Sequence, residues 1–148
     1  MSWMFYGCRS LKELNLTNFN ENYVSDMSYM FAGCSSLKEL NLTTFCTDNV
    51  INMNCIFDFC GSLEKLILTN FNTNKVTDMS AMFRGCSSLK ELNLSNFNTD
   101  KVINMNDMFS GCSSLLKINI SNFNITIIIK LTNKKYIFVK LLNIEIYY

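Results

Sequence analysis

The sequence predicts an α/β solenoid, a single stack of short parallel strands with a short helix opposite each strand. Three observations carry that prediction. One motif recurs at a fixed interval, starting at Met4, Met30, Ile56, Met82 and Met108. An alternation of period two occupies one half of each repeat, and an i, i+3, i+4 apolar face occupies the other. With 148 residues, 49% of them apolar and 17% charged, the chain has enough material for one packed core and lacks the composition of a disordered polymer.

MFAGCSSLKELNL at Met30 returns as MFRGCSSLKELNL at Met82, with IFDFCGSLEKLIL from Ile56 between them. MFYGCRSLKELNL from Met4 and MFSGCSSLLKINI from Met108 complete five copies without insertion or deletion. Leu11, Leu37, Leu63, Leu89 and Leu115 share one column, and Phe19, Phe45, Phe71, Phe97 and Phe123 share another. So short a unit cannot bury a face alone, and stacking must supply the core.

Within a repeat the strand comes first. Alternation about Leu14 and Leu16 assigns residues 13–17, and their equivalents downstream, to a half-buried strand. Copies one repeat apart pair in parallel, with the crossover running through the other half. In that half Met27, Met30 and Phe31 form one face of a short helix. Asp26, Asn52, Asp78 and Asn104 stand at its N-cap, where a side-chain oxygen accepts a bond from a free N–H. Gly7, Gly33, Gly85 and Gly111 stand where a helix ends in the left-handed region.

The five copies fill residues 1–124, and 125–148 reads as a degenerate terminal repeat. There Leu141, Ile144 and Ile146 fall one period after Leu115, Ile118 and Ile120 and predict a sixth strand, while Lys130, Lys134, Lys135 and Ile137 remove the helix. Lysines interrupt its apolar residues, so no membrane span is expected. At the other end Met1 falls in the column of Met27. That placement leaves Trp3, Met4 and Phe5 uncovered and predicts self-association through the N-terminal end.

The run Leu89-x-x-Leu92-x-Leu94, followed by Val102, Met105, Met108-Phe109 and Gly111-Cys112, resembles a leucine-rich repeat. More narrowly, the signature MF-x-GCSSL-x-x-LNLSNFNT is similar to BspA-type repeats of bacterial, protist and some viral surface proteins, and it spans residues 1–124. The resemblance implies a right-handed β/α superhelix with its strands on the concave face. It also implies a cell-surface or secreted protein of adhesive function. No charged and apolar leader precedes Met1, which supports the alternative of a cytoplasmic scaffold for protein partners. A third reading is a fragment of a longer array with no independent function.

Chemistry has few openings. Histidine is absent, which removes the commonest base and metal ligand. A net charge of +1 gives no electrostatic footprint for nucleic acid. Cys8, Cys34, Cys60, Cys86 and Cys112 form a column with one cysteine per repeat, a spacing that provides no paired metal ligands, and it reads as a ladder of small buried hydrophobes. Cys46 and Cys55 leave that column and read as the accessible thiols. With no nucleophile–base pair in view, a non-enzymatic protein without cofactor or metal is expected.

The outward strand positions are the binding candidates. Glu39, Lys65 and Glu91 form one row, Asn41, Ile67 and Asn93 the next, and Thr43, Thr69 and Ser95 the third. They predict a polar recognition strip for a protein or glycan ligand, with Ile67 as an apolar contact. The abundant asparagines after each strand, Asn18, Asn70, Asn96 and Asn122 with Asn20, Asn72, Asn98 and Asn124, read as turn formers. Asn15, Asn41, Asn93, Asn119 and Asn124 also head N-x-Ser/Thr triplets, four of them in one repeat phase.

Overall fold

A computed structural model of the chain describes residues 1–16, 23–124, 126 and 145–147. Among these residues the regular elements are five short strands, β1 (Glu39–Asn41), β2 (Lys65–Ile67), β3 (Glu91–Asn93), β4 (Lys117–Asn119) and β5 (Glu145–Tyr147). They pair in parallel as β1–β2 and β3–β4–β5. Leu40 lies opposite Leu66 and Leu92 opposite Ile118, which is the period of the sequence. Beyond β4 the offset changes: Ile118 lies opposite Ile146, where the sequence phase would place Ile144. Ile144 and Leu141 lie outside the described residues, as do Lys130, Lys134, Lys135 and Ile137.

Residues 13–16 of the first expected strand do not adopt strand structure, and Thr17, Asn18, Phe19 and Asn20 lie outside the described residues. The charges of this junction differ from those of the next. Lys12 falls in the column of Lys38 and Glu13 in that of Glu39, and like charges in register oppose strand pairing. One repeat later the signs alternate, Lys38 beside Glu64 and Glu39 beside Lys65, where β1 pairs with β2, and they alternate again at Glu64 beside Lys90, where β2 and β3 lie in separate sheets.

The expected helices are replaced by turns. In the second repeat Met30 N–H donates to Met27 C=O, Ala32 to Tyr29 and Cys34 to Phe31, each three residues back. The intervening N–H groups are spent on the next repeat: Met27 to Asn52 C=O, Tyr29 to Asn54, Phe31 to Ile56 and Gly33 to Asp58, at 2.7–3.0 Å. An N–H engaged with the neighbouring coil is unavailable for the i→i−4 bond of a helix. Tyr29 (φ 57°) and Gly33 (φ 76°) are each the third residue of a turn that needs positive φ. Gly33 therefore ends a turn, and Asp26, Asn52, Asp78 and Asn104 open one. Their side chains accept the N–H two residues on, as in Asp26 Oδ1 from Ser28 at 2.8 Å and Asn52 Oδ1 from Asn54 at 3.0 Å.

Between the strands and this turn ladder lies the core. Phe31, Phe57, Phe83 and Phe109 stack at 5.6–5.7 Å between ring centres, with Met30, Ile56, Met82 and Met108 buried beside them. The leucine columns close the strand side, from Leu37, Leu40 and Leu42 to Leu115, Ile118 and Ile120. Polar ladders run inside the corner that follows each strand. Thr47 Oγ1 donates to Asn72 C=O at 3.0 Å and accepts from Asn72 N–H at 2.7 Å, and Thr73 repeats this with Asn98. Buried threonine thus satisfies the backbone where the chain leaves the sheet, the burial of Thr47, Thr73 and Thr99 being essentially complete.

Candidate recognition surface

The strand face presents its side chains by the parallel pairing of β1–β2 and β3–β4. Glu39, Lys65 and Glu91 stand exposed in one row. Lys65 Nζ lies 3.8 Å from Glu39 and Lys117 Nζ 3.5 Å from Glu91, so the row is internally neutralised. Exposed pairs of this kind contribute little to stability. Asn41 and Asn93 have a structural use as well: each Oδ1 accepts the N–H two residues on, from Thr43 and Ser95, at 3.0 Å. They close the turn that ends the strand. Ile67, which has no such acceptor, is half-buried, Thr69 is exposed, and Thr43 and Ser95 are half-exposed.

Two shallow cavities cover this face. One, of about 830 Å³, extends from Lys12 and Glu13 across Lys38, Glu39 and Asn41 to Lys65 and Ile67. The other, of about 710 Å³, is lined by Glu64, Lys65 and Leu66 on one side and by Lys90, Glu91, Leu92 and Asn93 on the other, reaching Lys117. The candidate residues Glu39, Asn41, Lys65 and Ile67 therefore share one cavity, while Lys65, Glu91 and Asn93 share the second. Thr43, Thr69 and Ser95 line neither. Sequence reasoning missed Ser62 and also Lys12, Lys38, Glu64 and Lys90, the column beside the predicted row. The signal was present as the pairs Lys12–Glu13, Lys38–Glu39 and Lys90–Glu91, inverted to Glu64–Lys65 in the third repeat.

A second feature lies on the turn ladder. Arg84 donates to both carboxylate oxygens of Asp58, at 2.7 Å through Nε and 2.5 Å through Nη2, one repeat away. The Asp58 side chain is 8% exposed. This hydrogen-bonded carboxylate holds the guanidinium pKa above its ordinary value. Arg84 also sits 5.3 Å above the ring of Phe59, a residue with φ 54° where the other four repeats carry glycine. The signal in the sequence was that single break in the glycine column, flanked by opposite charges one period apart. Nearby, Trp3 stacks on Tyr29 at 4.1 Å.

The cysteine column is buried from Cys34 to Cys112, while Cys8 is exposed. Each buried thiol of that column donates to a phenylalanine carbonyl of the preceding repeat, Cys60 to Phe31 at 3.1 Å and Cys86 to Phe57 at 3.2 Å. Burial pushes the Cys34 thiol up to about 11 and raises Cys60 and Cys86 further. Cys55, expected to be accessible, is instead buried, and burial raises its pKa. It lies in the column of Trp3 and Tyr29, and its hydrogen bond with the Tyr29 hydroxyl raises the tyrosine pKa in turn. Cys46 is half-exposed and lies 3.7 Å from Asp48.

Among the described residues no three His, Cys, Asp or Glu side chains are grouped to hold a metal ion, and no helix is long and apolar enough to cross a membrane. No curated protein and no solved structure matches the chain. A family model, described as Mycoplasma protein of unknown function, DUF285, matches residues 1–90 and again 62–145, two matches that overlap. The chain belongs to this DUF285 family.

Proposed function

We propose that the chain is a non-enzymatic recognition module of BspA-type leucine-rich repeats, displayed at a cell surface, that binds a protein or glycan through its strand face. The observation that carries this reading is the row Glu39, Asn41, Lys65, Ile67, Glu91 and Asn93, held in register by parallel strands and bordered by two cavities. Rigid strands fix such side chains with little ordering left to lose on binding. Right-handed coiling fits the preference of parallel crossovers. A second reading, an intracellular scaffold for a protein partner, is favoured by seven cysteines that all stand as free thiols.

Chemical-shift mapping of the labelled chain against a defined panel of peptides and oligosaccharides tests the proposal. Saturable shifts at Glu39, Lys65, Ile67 and Asn93 are expected from at least one class. Shifts confined to Trp3, Tyr29 and Phe59 would move recognition to the turn ladder and refute the strand-face assignment.

A further inference from the structure

The strand face is one continuous floor, although β2 and β3 belong to separate sheets. At the flanking junctions Leu42 N–H donates to Ile67 C=O at 3.0 Å and Leu94 N–H to Asn119 C=O at 2.8 Å. Among the described residues the corresponding bond from Leu68 to Asn93 is not made, and side chains bridge the junction instead. Ser88 Oγ donates to Gly61 C=O at 2.7 Å, and Asn96 Nδ2 to Leu68 C=O at 3.0 Å. The Arg84–Asp58 pair clasps the same junction from the turn ladder. The two cavities therefore form one trough across the strands, meeting at Lys65, which lines both.

We infer that this trough holds a saccharide chain laid along the stack, an inference that rests on the strand-face reading and names its ligand class. Asn41 and Asn93 spend Oδ1 on the N–H groups of Thr43 and Ser95. That bond fixes each amide and leaves its Nδ2, among the described residues, as a donor without a protein partner. Beside these donors Glu39 and Glu91, whose side chains are 70% exposed, supply acceptor oxygens. Between the two asparagines, in the same row, Ile67 offers an aliphatic surface to the first cavity. A sugar hydroxyl both gives and takes a hydrogen bond, which suits an amide donor next to a carboxylate acceptor. The C–H face of a pyranose ring suits Ile67. Such groups recur along a saccharide chain as the rungs recur along the stack, at ~4.8 Å. A protein partner finds fewer anchors here. No aromatic residue, methionine or arginine, the types enriched at protein interfaces, lines either cavity among the described residues. Each cavity sets three lysines against two glutamates, a surplus that suits a chain with occasional carboxylates as well as a neutral one.

The probes are linear oligosaccharides graded in length, one series neutral and one containing uronate, with capped peptides in parallel. They are titrated into the isotope-labelled full chain. The expected result is saturable shifts of the Asn41 and Asn93 side-chain amides and the Ile67 methyls with a saccharide. Affinity should rise with length as the chain reaches from the first cavity into the second. Binding of the neutral series supports recognition by hydroxyls alone, and binding of the uronate series only supports hydroxyls together with the surplus lysine. Asn41→Ser keeps a side-chain acceptor for the turn but lacks Nδ2. It should weaken binding about tenfold, the equivalent of one ordinary hydrogen bond. Ile67→Asn restores the repeated residue of the row, so it should fold and should also weaken binding. Unchanged affinity in either variant would overturn the saccharide assignment. Strand-face shifts from peptides alone would overturn it and leave the strand-face reading standing. Absence of strand-face shifts with every probe would overturn both.

Discussion

At the scale of single residues, Phe59 shows how one departure from a repeat obliges its neighbours. An L-residue in the left-handed region costs roughly 1–2 kcal/mol, and here Phe59 stands at φ 54°. Its ring lies over Gly85, where an added Cβ would come within 2.7 Å of a ring carbon, while a Cβ at Gly7 would meet open space. Gly85→Ala should therefore cost about 2–3 kcal/mol, backbone strain plus overpacking, against about 1 kcal/mol for Gly7→Ala. Removing the ring with Phe59→Gly should return much of the difference, and a double-mutant cycle from urea unfolding measures it. Strict additivity would mean the ring does not rest on Gly85.

The buried thiols make a second prediction at this scale. The Cys34 thiol titrates near 11 when folded against an ordinary 9.0, because burial disfavours its thiolate. The folded state holds its proton where the unfolded chain has lost it, so this contribution is complete below pH 9.0 and is lost as pH rises toward 11. The urea midpoint of the wild type should fall over that window more steeply than that of Cys34→Ala. Parallel slopes would show the thiol to be solvated. Alkylation of the native chain should reach Cys8 and Cys46 before Cys34, Cys55 and Cys86, following their exposure.

At the scale of elements, the strands were legible in the sequence because alternation is a property of the strand itself. The helices were not. Met27, Met30 and Phe31 are buried as predicted for one apolar face, but the spacing that buries them also suits consecutive turns. What separates the two is the destination of the intervening N–H groups, a bond to the following repeat that local pattern cannot reveal. The threonines after the strands carry the same lesson. Thr73 gives and takes a bond with Asn98, both at 2.8 Å, from a nearly inaccessible position. Thr73→Val keeps the shape and strands two backbone groups, so a loss of about 1–3 kcal/mol is expected. A loss no greater than that of Asn93→Ala, on the exposed strand face, would show that water reaches the corner.

At the scale of the whole molecule the period was legible through β4, and the changed offset to β5 and the unevenness of the stack were not. The columns predict equivalent junctions throughout. Strand pairing is absent between residues 13–16 and β1 and again between β2 and β3, and the third repeat departs from the repeated motif on both of its faces, with Phe59 on one and Ile67 on the other. Amide exchange reads this directly. Leu42 and Leu94 donate across their junctions and should be protected, while Leu68 should exchange orders of magnitude faster despite its burial. Loss of the clasp should be felt here too. Arg84→Ala leaves the Asp58 carboxylate buried without its partner, at a cost of about 2 kcal/mol. That figure lies below the value for a fully buried pair because solvent screens an arginine that is 37% exposed. The exchange protection of Phe57 and Phe59 should fall with it, and unchanged protection would mean the turn ladder needs no clasp.

The turn ladder also has a direction. Within its turns, from Trp3 to Gly85, the inter-repeat bonds run from an N–H of the earlier repeat to a C=O of the later one, as in Phe31 to Ile56 and Phe83 to Met108. Just ahead of the turns Ile51, Asn52, Thr77 and Ile103 donate back, a minority beside the forward bonds. On the strand face the traffic is two-way, Leu42 donating forward to Ile67 while Glu64 and Lys65 donate back to Lys38. Peptide dipoles that alternate cancel, and dipoles that point alike add. Among the described residues the peptide dipoles of the turn ladder therefore add along the stack, their negative ends toward the first repeat and their positive ends toward the fifth. The stacked rings from Phe31 to Phe109 run beside that ladder, so the buried aromatic column and the aligned peptide dipoles share one direction.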